Sequence, residues 1–127
     1  MTTPATVPTN RLGLTRQDYV GSKSTLCPGC GHDAITAQII AAAWEVSLPG
    51  HMVTKLSGIG CSSKSPAYFL NQAWGFNSVH GRAAAIATGA TLANKHLKNI
   101  LVSGDGDSMS IGMGQLVHMI RRNVPVV

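Results

Sequence analysis

The sequence predicts an α/β fold in which parallel strands are flanked by helices. Three observations carry this. Short apolar runs at 51–56 and 99–103 read as buried strands, and each ends in a Gly- and Ser-rich loop. Segments 33–46, 82–96 and 108–122 repeat apolar or small residues at helical spacing. Strand and helix alternate, the pattern of a sheet whose ligands bind at the carboxyl ends of its strands.

Residues 1–16 read as a flexible leader, rich in Thr and Pro at its start. Residues 11–25 show no period and are expected to wrap over the domain surface. Leu26 to His32 is a loop full of breakers. A helix follows from Asp33, its expected N-cap, to Val46. Ile35, Ile39, Ala42, Ala43 and Val46 make its apolar side, and Pro49-Gly50 stop it. After the strand at 51–56 and its loop Ser57-Gly58-Ile59-Gly60-Cys61-Ser62-Ser63, a short helix is expected at 66–72 and an irregular stretch at 74–81. The Ala-rich helix 82–96 can pack closely, and Lys95, His96 and Lys98 suit its C-terminal dipole. Helix 108–122 ends on Arg121-Arg122, and Val124-Pro125-Val126-Val127 begins a further strand.

Composition excludes several function classes. A net charge of +5 is scattered, with no basic helix and only 5% aromatic residues, so nucleic acid is not expected as a partner. No apolar run nears the roughly 18 residues of a membrane span, and no hydrophobic signal core opens the chain, so the expected location is the cytoplasm. Three cysteines, two of them in Cys27-Pro28-Gly29-Cys30, then point to metal or redox use rather than a disulfide framework.

The chemistry concentrates in the loops. Gly104-Asp105-Gly106-Asp107 leaves a strand and enters a helix. A carboxylate repels phosphate unless a hard cation such as Mg²⁺ lies between them, so the loop is either a metal–diphosphate site or a tight turn capped by Asp. Cys27, Cys30 and Cys61 are three thiols in Gly-rich loops. They supply either three of the four ligands of a [4Fe–4S] cluster or a Cys₃His zinc site completed by His32 or His80. Lys64 alone reads as a solvated surface residue.

Taken in order, Cys27-Pro28-Gly29-Cys30-Gly31, Gly58-Ile59-Gly60-Cys61-Ser62-Ser63, His80-Gly81-Arg82-Ala83 and Gly104-Asp105-Gly106-Asp107 resemble the β subunit of 2-oxoacid:ferredoxin oxidoreductases. Phe76 to Arg82 and Ile120 to Asn123 look most like the 2-oxoglutarate branch. The resemblance implies that 17–127 is the N-terminal part of a thiamine diphosphate-binding domain. It implies Cys27, Cys30 and Cys61 as iron–sulfur ligands and Asp105 as the Mg²⁺ ligand. Ile59, Gly60, Cys61, Ser62, Gly104, Gly106 and Asp107 would join Asp105 around the cofactor, with Lys64 near the substrate end. The implied reaction is oxidative decarboxylation of a 2-oxoacid, with coenzyme A taking the acyl group and electrons passing through the cluster to ferredoxin. An α-type subunit would supply the acid that activates the cofactor, in a heterodimer or dimer of heterodimers. Two departures stand out: Leu26 occupies a position where many members carry Trp, and the family's second metal-ligating Asn and fourth cysteine have no counterpart here. The expectation is therefore a fragment, inactive alone, whose rivals are a non-catalytic copy or interaction module and a zinc domain.

Overall fold

The computed structural model describes residues 7–127. Helix α1 (Gly31–Glu45) precedes strand β1 (Val53–Ser57), strand β2 (Trp74–Asn77), helix α2 (Ala83–Ala93), strand β3 (Lys98–Val102) and helix α3 (Met113–Arg121). All pairings are parallel, in the order β2-β1-β3. This is the expected α/β architecture. β1 is buried along its whole length because it has a strand on each side and packed elements on both faces. On one face Val53, Ile100 and Val102 meet Tyr19, Ile40, Ala43, Phe69 and Leu70. On the other, Ala83, Ala84 and Ala87 of α2 are buried, and Asn99 Nδ2 donates to Thr91 Oγ1 at 2.9 Å. Small side chains let α2 lie close to the sheet, as the Ala-rich sequence anticipates.

Several boundaries differ from the sequence reading. α1 starts at Gly31 with Cys30 as its N-cap, so Asp33 lies in the first turn, where its charge suits the helix dipole. The helix stops before Pro49-Gly50, in a Schellman turn. Ser47 takes φ +55°, Leu48 N donates to Ala43 O at 2.9 Å, and Ser47 N donates to Trp44 O at 3.0 Å. The short helix expected at 66–72 is a 3-10 segment at Ser62–Ala67. The stretch expected to be irregular contains β2: Trp74 and Phe76 are strand formers, but this edge strand is exposed at every position and so lacks a buried alternation to read. α2 ends at Ala93, leaving Lys95 and His96 in the turn beyond it and Lys98 in β3. Residues 108–122 divide into a π-helical turn, Gly106–Ile111, and α3. Val124–Val127 forms a parallel bridge from Val126 to Asn99 rather than a full strand, with Leu101 N donating to Val127 O at 2.7 Å.

Of the expected leader, residues 1–6 lie outside the described residues. Residues 9–16 are tied down. Thr9 bridges Thr15, and Asn10 Nδ2 donates to Tyr19 Oη at 2.9 Å and to Trp44 O at 3.2 Å. No helix among the described residues is long and apolar enough to cross a membrane.

Candidate functional site

The carboxyl ends of β1 and β3 open into a cleft of about 690 Å³. Ile59, Gly60, Cys61 and Ser62 line it from the β1 side, and Gly104, Asp105, Gly106 and Asp107 from the β3 side. All eight residues expected around the cofactor therefore share one cavity, with His32 and His80 on its wall. Two parallel neighbours necessarily deliver their following loops to the same edge, which is why residues more than 40 positions apart in sequence meet.

The two carboxylates of the β3 loop behave differently. Asp105 is exposed to the cleft. Asp107 is 3% exposed and faces the protein. It accepts hydrogen bonds from Ser103 Oγ at 2.5 Å and Gly81 N at 2.7 Å, and it is paired with His80 Nδ1. Burial by itself would raise its pKa. The hydrogen bonds from Ser103, Gly81, His80 and the Ile59 amide outweigh burial and hold the carboxyl below its ordinary 3.8. The network needs close backbone approach. A Cβ at Gly58 would overlap the Asp107 carboxylate, and Gly81, at φ +72°, would carry a Cβ only 2.6 Å from Ile111 Cγ2.

Asp107 thus braces the loop while also lining the cleft expected to hold the cofactor. The sequence reading quotes Gly58 and His80 in its motifs but does not anticipate that they and Ser103 pack against or pair with Asp107. The glycine just ahead of Ile59-Gly60 was the available signal, because nothing about the loop after β1 by itself calls for it.

A single exposed carboxylate suits Mg²⁺, which keeps several waters and is commonly held by one or two carboxylates plus substrate phosphates. Asp105, in a cleft with three glycine-bearing loop positions, meets that requirement for a Mg²⁺–diphosphate group. The thiols are less assembled. Cys27 and Cys61 are exposed and Cys30 is half-buried, and among the described residues no three His, Cys, Asp or Glu side chains converge as a metal site. Cys30 N donates to Cys27 O at 3.0 Å, closing the turn, and Cys30 Sγ lies 3.0 Å from His32 Nδ1. His32 and Cys61 both line the cleft, so the Cys27–Cys30 turn stands beside it. Lys64 does not line this cleft. It borders a separate pocket behind the 3-10 segment.

Residues 56–127 match the family described as thiamine pyrophosphate enzyme, C-terminal TPP binding domain. The chain belongs to this thiamine pyrophosphate enzyme family. The match begins inside β1 and spans both loops of the cleft, while the cysteine turn of this TPP-binding domain chain precedes it. The chain is 42% identical over 127 residues to the 2-oxoglutarate oxidoreductase subunit KorB of Mycobacterium tuberculosis, covering 99% of this chain and 34% of that protein. It is 46% identical over 103 residues to 2-oxoacid:ferredoxin oxidoreductase 1, subunit beta, of Aeropyrum pernix, covering 81% of this chain and 32% of the relative. It therefore spans about a third of the length of these curated relatives. Among solved structures, a 2-oxoglutarate:ferredoxin oxidoreductase from Magnetococcus marinus, with 2-oxoglutarate, coenzyme A and succinyl-CoA bound, superposes with a TM-score of 0.82. The identity is 38%, over 87% of this chain and 38% of that one. The TPP-binding domain thus shares its fold with the matching 38% of that chain.

Proposed function

We propose that the chain works as part of the β subunit of a cytoplasmic 2-oxoacid:ferredoxin oxidoreductase. It binds thiamine diphosphate and Mg²⁺, with 2-oxoglutarate as substrate, coenzyme A as acyl acceptor and ferredoxin as electron acceptor. The observation that carries this reading is the meeting of Ile59 to Ser62 and Gly104 to Asp107 in one cleft, with Asp105 free and Asp107 locked. Bound thiamine diphosphate supplies the electron sink for loss of CO₂ from the 2-oxoacid. Asp105 would hold Mg²⁺, whose charge would offset that of the diphosphate. Asp107 keeps the β3 loop in place through Ser103, Gly81 and His80. Cys27, Cys30 and Cys61 would offer three thiolates to a [4Fe–4S] cluster, the remaining ligand coming from outside these three. The site works with an α-type subunit in a heterodimer or dimer of heterodimers; Lys64, expected near the substrate end, lies outside this cleft.

The test is 2-oxoglutarate- and coenzyme A-dependent reduction of ferredoxin by the complex assembled with its α-type subunit. Asp105→Asn should abolish turnover and weaken the Mg²⁺-dependent binding of thiamine diphosphate. Full activity of Asp105→Asn, or tight cofactor binding without Mg²⁺, would overturn the reading. A second reading, zinc bound by the three cysteines and a histidine, is favoured by the 3.0 Å Cys30–His32 contact. Metal and sulfide analysis of anaerobically purified protein separates it from the cluster.

A further inference from the structure

Lys55 sits at the centre of the sheet, paired in register with Gly75 of β2 and Ile100 of β3. It is 7% exposed. Its Nζ donates to Phe69 O at 2.8 Å and lies 5.7 Å from the centroid of the Phe69 ring. An ammonium carries three donors, so one carbonyl and a ring face leave it under-satisfied. The chain has five acidic residues, and among the described residues the ion pair formed is His80–Asp107, so no carboxylate of the chain meets Lys55. A buried, uncompensated charge is strongly disfavoured. Burial accordingly pushes the Lys55 pKa down.

Lys55 borders a pocket of about 400 Å³ that shares no lining residue with the cleft. The 3-10 segment is the wall between them: Ser62 faces the cleft, and Ser63 and Lys64 face the pocket. Ser63 is 5% exposed, and its Oγ has no hydrogen-bond partner. Gly75, opposite Lys55, contributes no side chain, and a Cβ there would come within 4.0 Å of Lys55 Cε. The pocket therefore presents a buried ammonium and a buried hydroxyl without a partner, has a second ammonium at its rim, and has no acidic residue in its lining.

We propose that this pocket is a second ligand site that takes a small carboxylate, whose oxygens accept from Lys55 Nζ and Ser63 Oγ. Lys64 at the rim adds a contact for a dicarboxylate. Two oxygens at one end suit an ammonium and a hydroxyl that line the same pocket, and about 400 Å³ holds a molecule of a few carbons. The site stands whether or not the cleft holds thiamine diphosphate.

Titration of the full chain with succinate, acetate and sulfate, followed by calorimetry and by NMR of ¹³C-labelled lysine, tests this. Succinate should bind, shift the Lys55 Cε resonance and bind more tightly than acetate. Lys55→Met should weaken succinate by about tenfold or more, and Ser63→Ala by roughly ten- to a hundredfold, the scale of a hydrogen bond to a charged group. Lys64→Ala should bring succinate down to the affinity of acetate. Lys55→Met exchanges a buried charge for an apolar side chain of similar length, and Ser63→Ala removes no native hydrogen bond, so both keep the fold. The proposal is overturned if succinate leaves Lys55 unmoved, if Lys55→Met binds it as the parent does, or if sulfate binds more tightly than succinate.

Discussion

The loop after β3 and the turn between Cys27 and Cys30 are both short, Gly-bearing and close to the same cleft, yet they are built differently. In the β3 loop one carboxylate is turned into the protein and satisfied by Ser103, Gly81 and His80. In the cysteine turn the contacts include two backbone hydrogen bonds, Cys30 N to Cys27 O and Asp33 N to Cys30 O, and the Cys30–His32 pair, and Cys27 stays exposed. The difference follows from what each donor loses on burial. A carboxylate removed from water must be given hydrogen bonds, so burying Asp107 fixes everything that donates to it. Thiols need little solvation and can stay at the surface until a metal orders them. One part of the site is preorganised by the chain, and the other is not.

The largest expected effect breaks the braced side. Gly58→Ala places a methyl group onto the Asp107 carboxylate and should cost about 3 kcal/mol, read as a lower urea midpoint. An unchanged midpoint would show the brace to be soft. Asp107→Asn should cost about 2 kcal/mol at neutral pH, because Ser103 and Gly81 lose an ionised acceptor. The sign with pH is set by the lowered folded-state pKa. The contribution is complete above 3.8, the carboxyl's ordinary value, and is lost as pH falls through the folded value. Acid unfolding curves of the two proteins should therefore converge at low pH, and parallel curves would count against the ionised pairing.

Asp105→Asn sharpens the contrast within the same loop. Stability should change by less than about 0.5 kcal/mol, while the affinity for thiamine diphosphate in the presence of Mg²⁺ falls by about tenfold or more. A loss of stability as large as that of Asp107→Asn would make the two carboxylates equivalent. Cys27→Ser should have the smallest effect on folding, within about 0.5 kcal/mol, and lower the iron bound per chain after anaerobic reconstitution. A large drop in melting temperature without added iron would mean that the turn is already part of the folded core.

The main elements were legible because they carry strong periods or compositions. Val53 to Ser57 and Lys98 to Val102 sit where short apolar runs end in glycine-rich loops, and the Ala-rich run around Ala83 to Ala93 reads as a close-packing helix. β2 was hidden because an edge strand exposed on both faces has no alternation to detect. The Schellman stop at Ser47 was hidden because the left-handed position carries Ser rather than Gly. At the site, the eight cofactor-loop residues could be named from their motifs, but not the division of labour between Asp105 and Asp107. Both are Asp in the same four-residue loop, and only the position of β1, with Gly58 against Asp107, separates them.

By itself the sequence determined that this is an α/β chain with Gly-rich loops at strand ends, an odd set of three thiols and too few acids to satisfy its own cations. These are local properties, set by side-chain periodicity, backbone freedom and charge. Only the tertiary structure decided that the loops share one cleft, that one aspartate faces inward and its neighbour outward, and that Lys55 lies buried without a carboxylate. Each of these depends on parallel pairing between segments far apart in sequence, and burial is a property of where neighbouring strands run rather than of the residue that is buried.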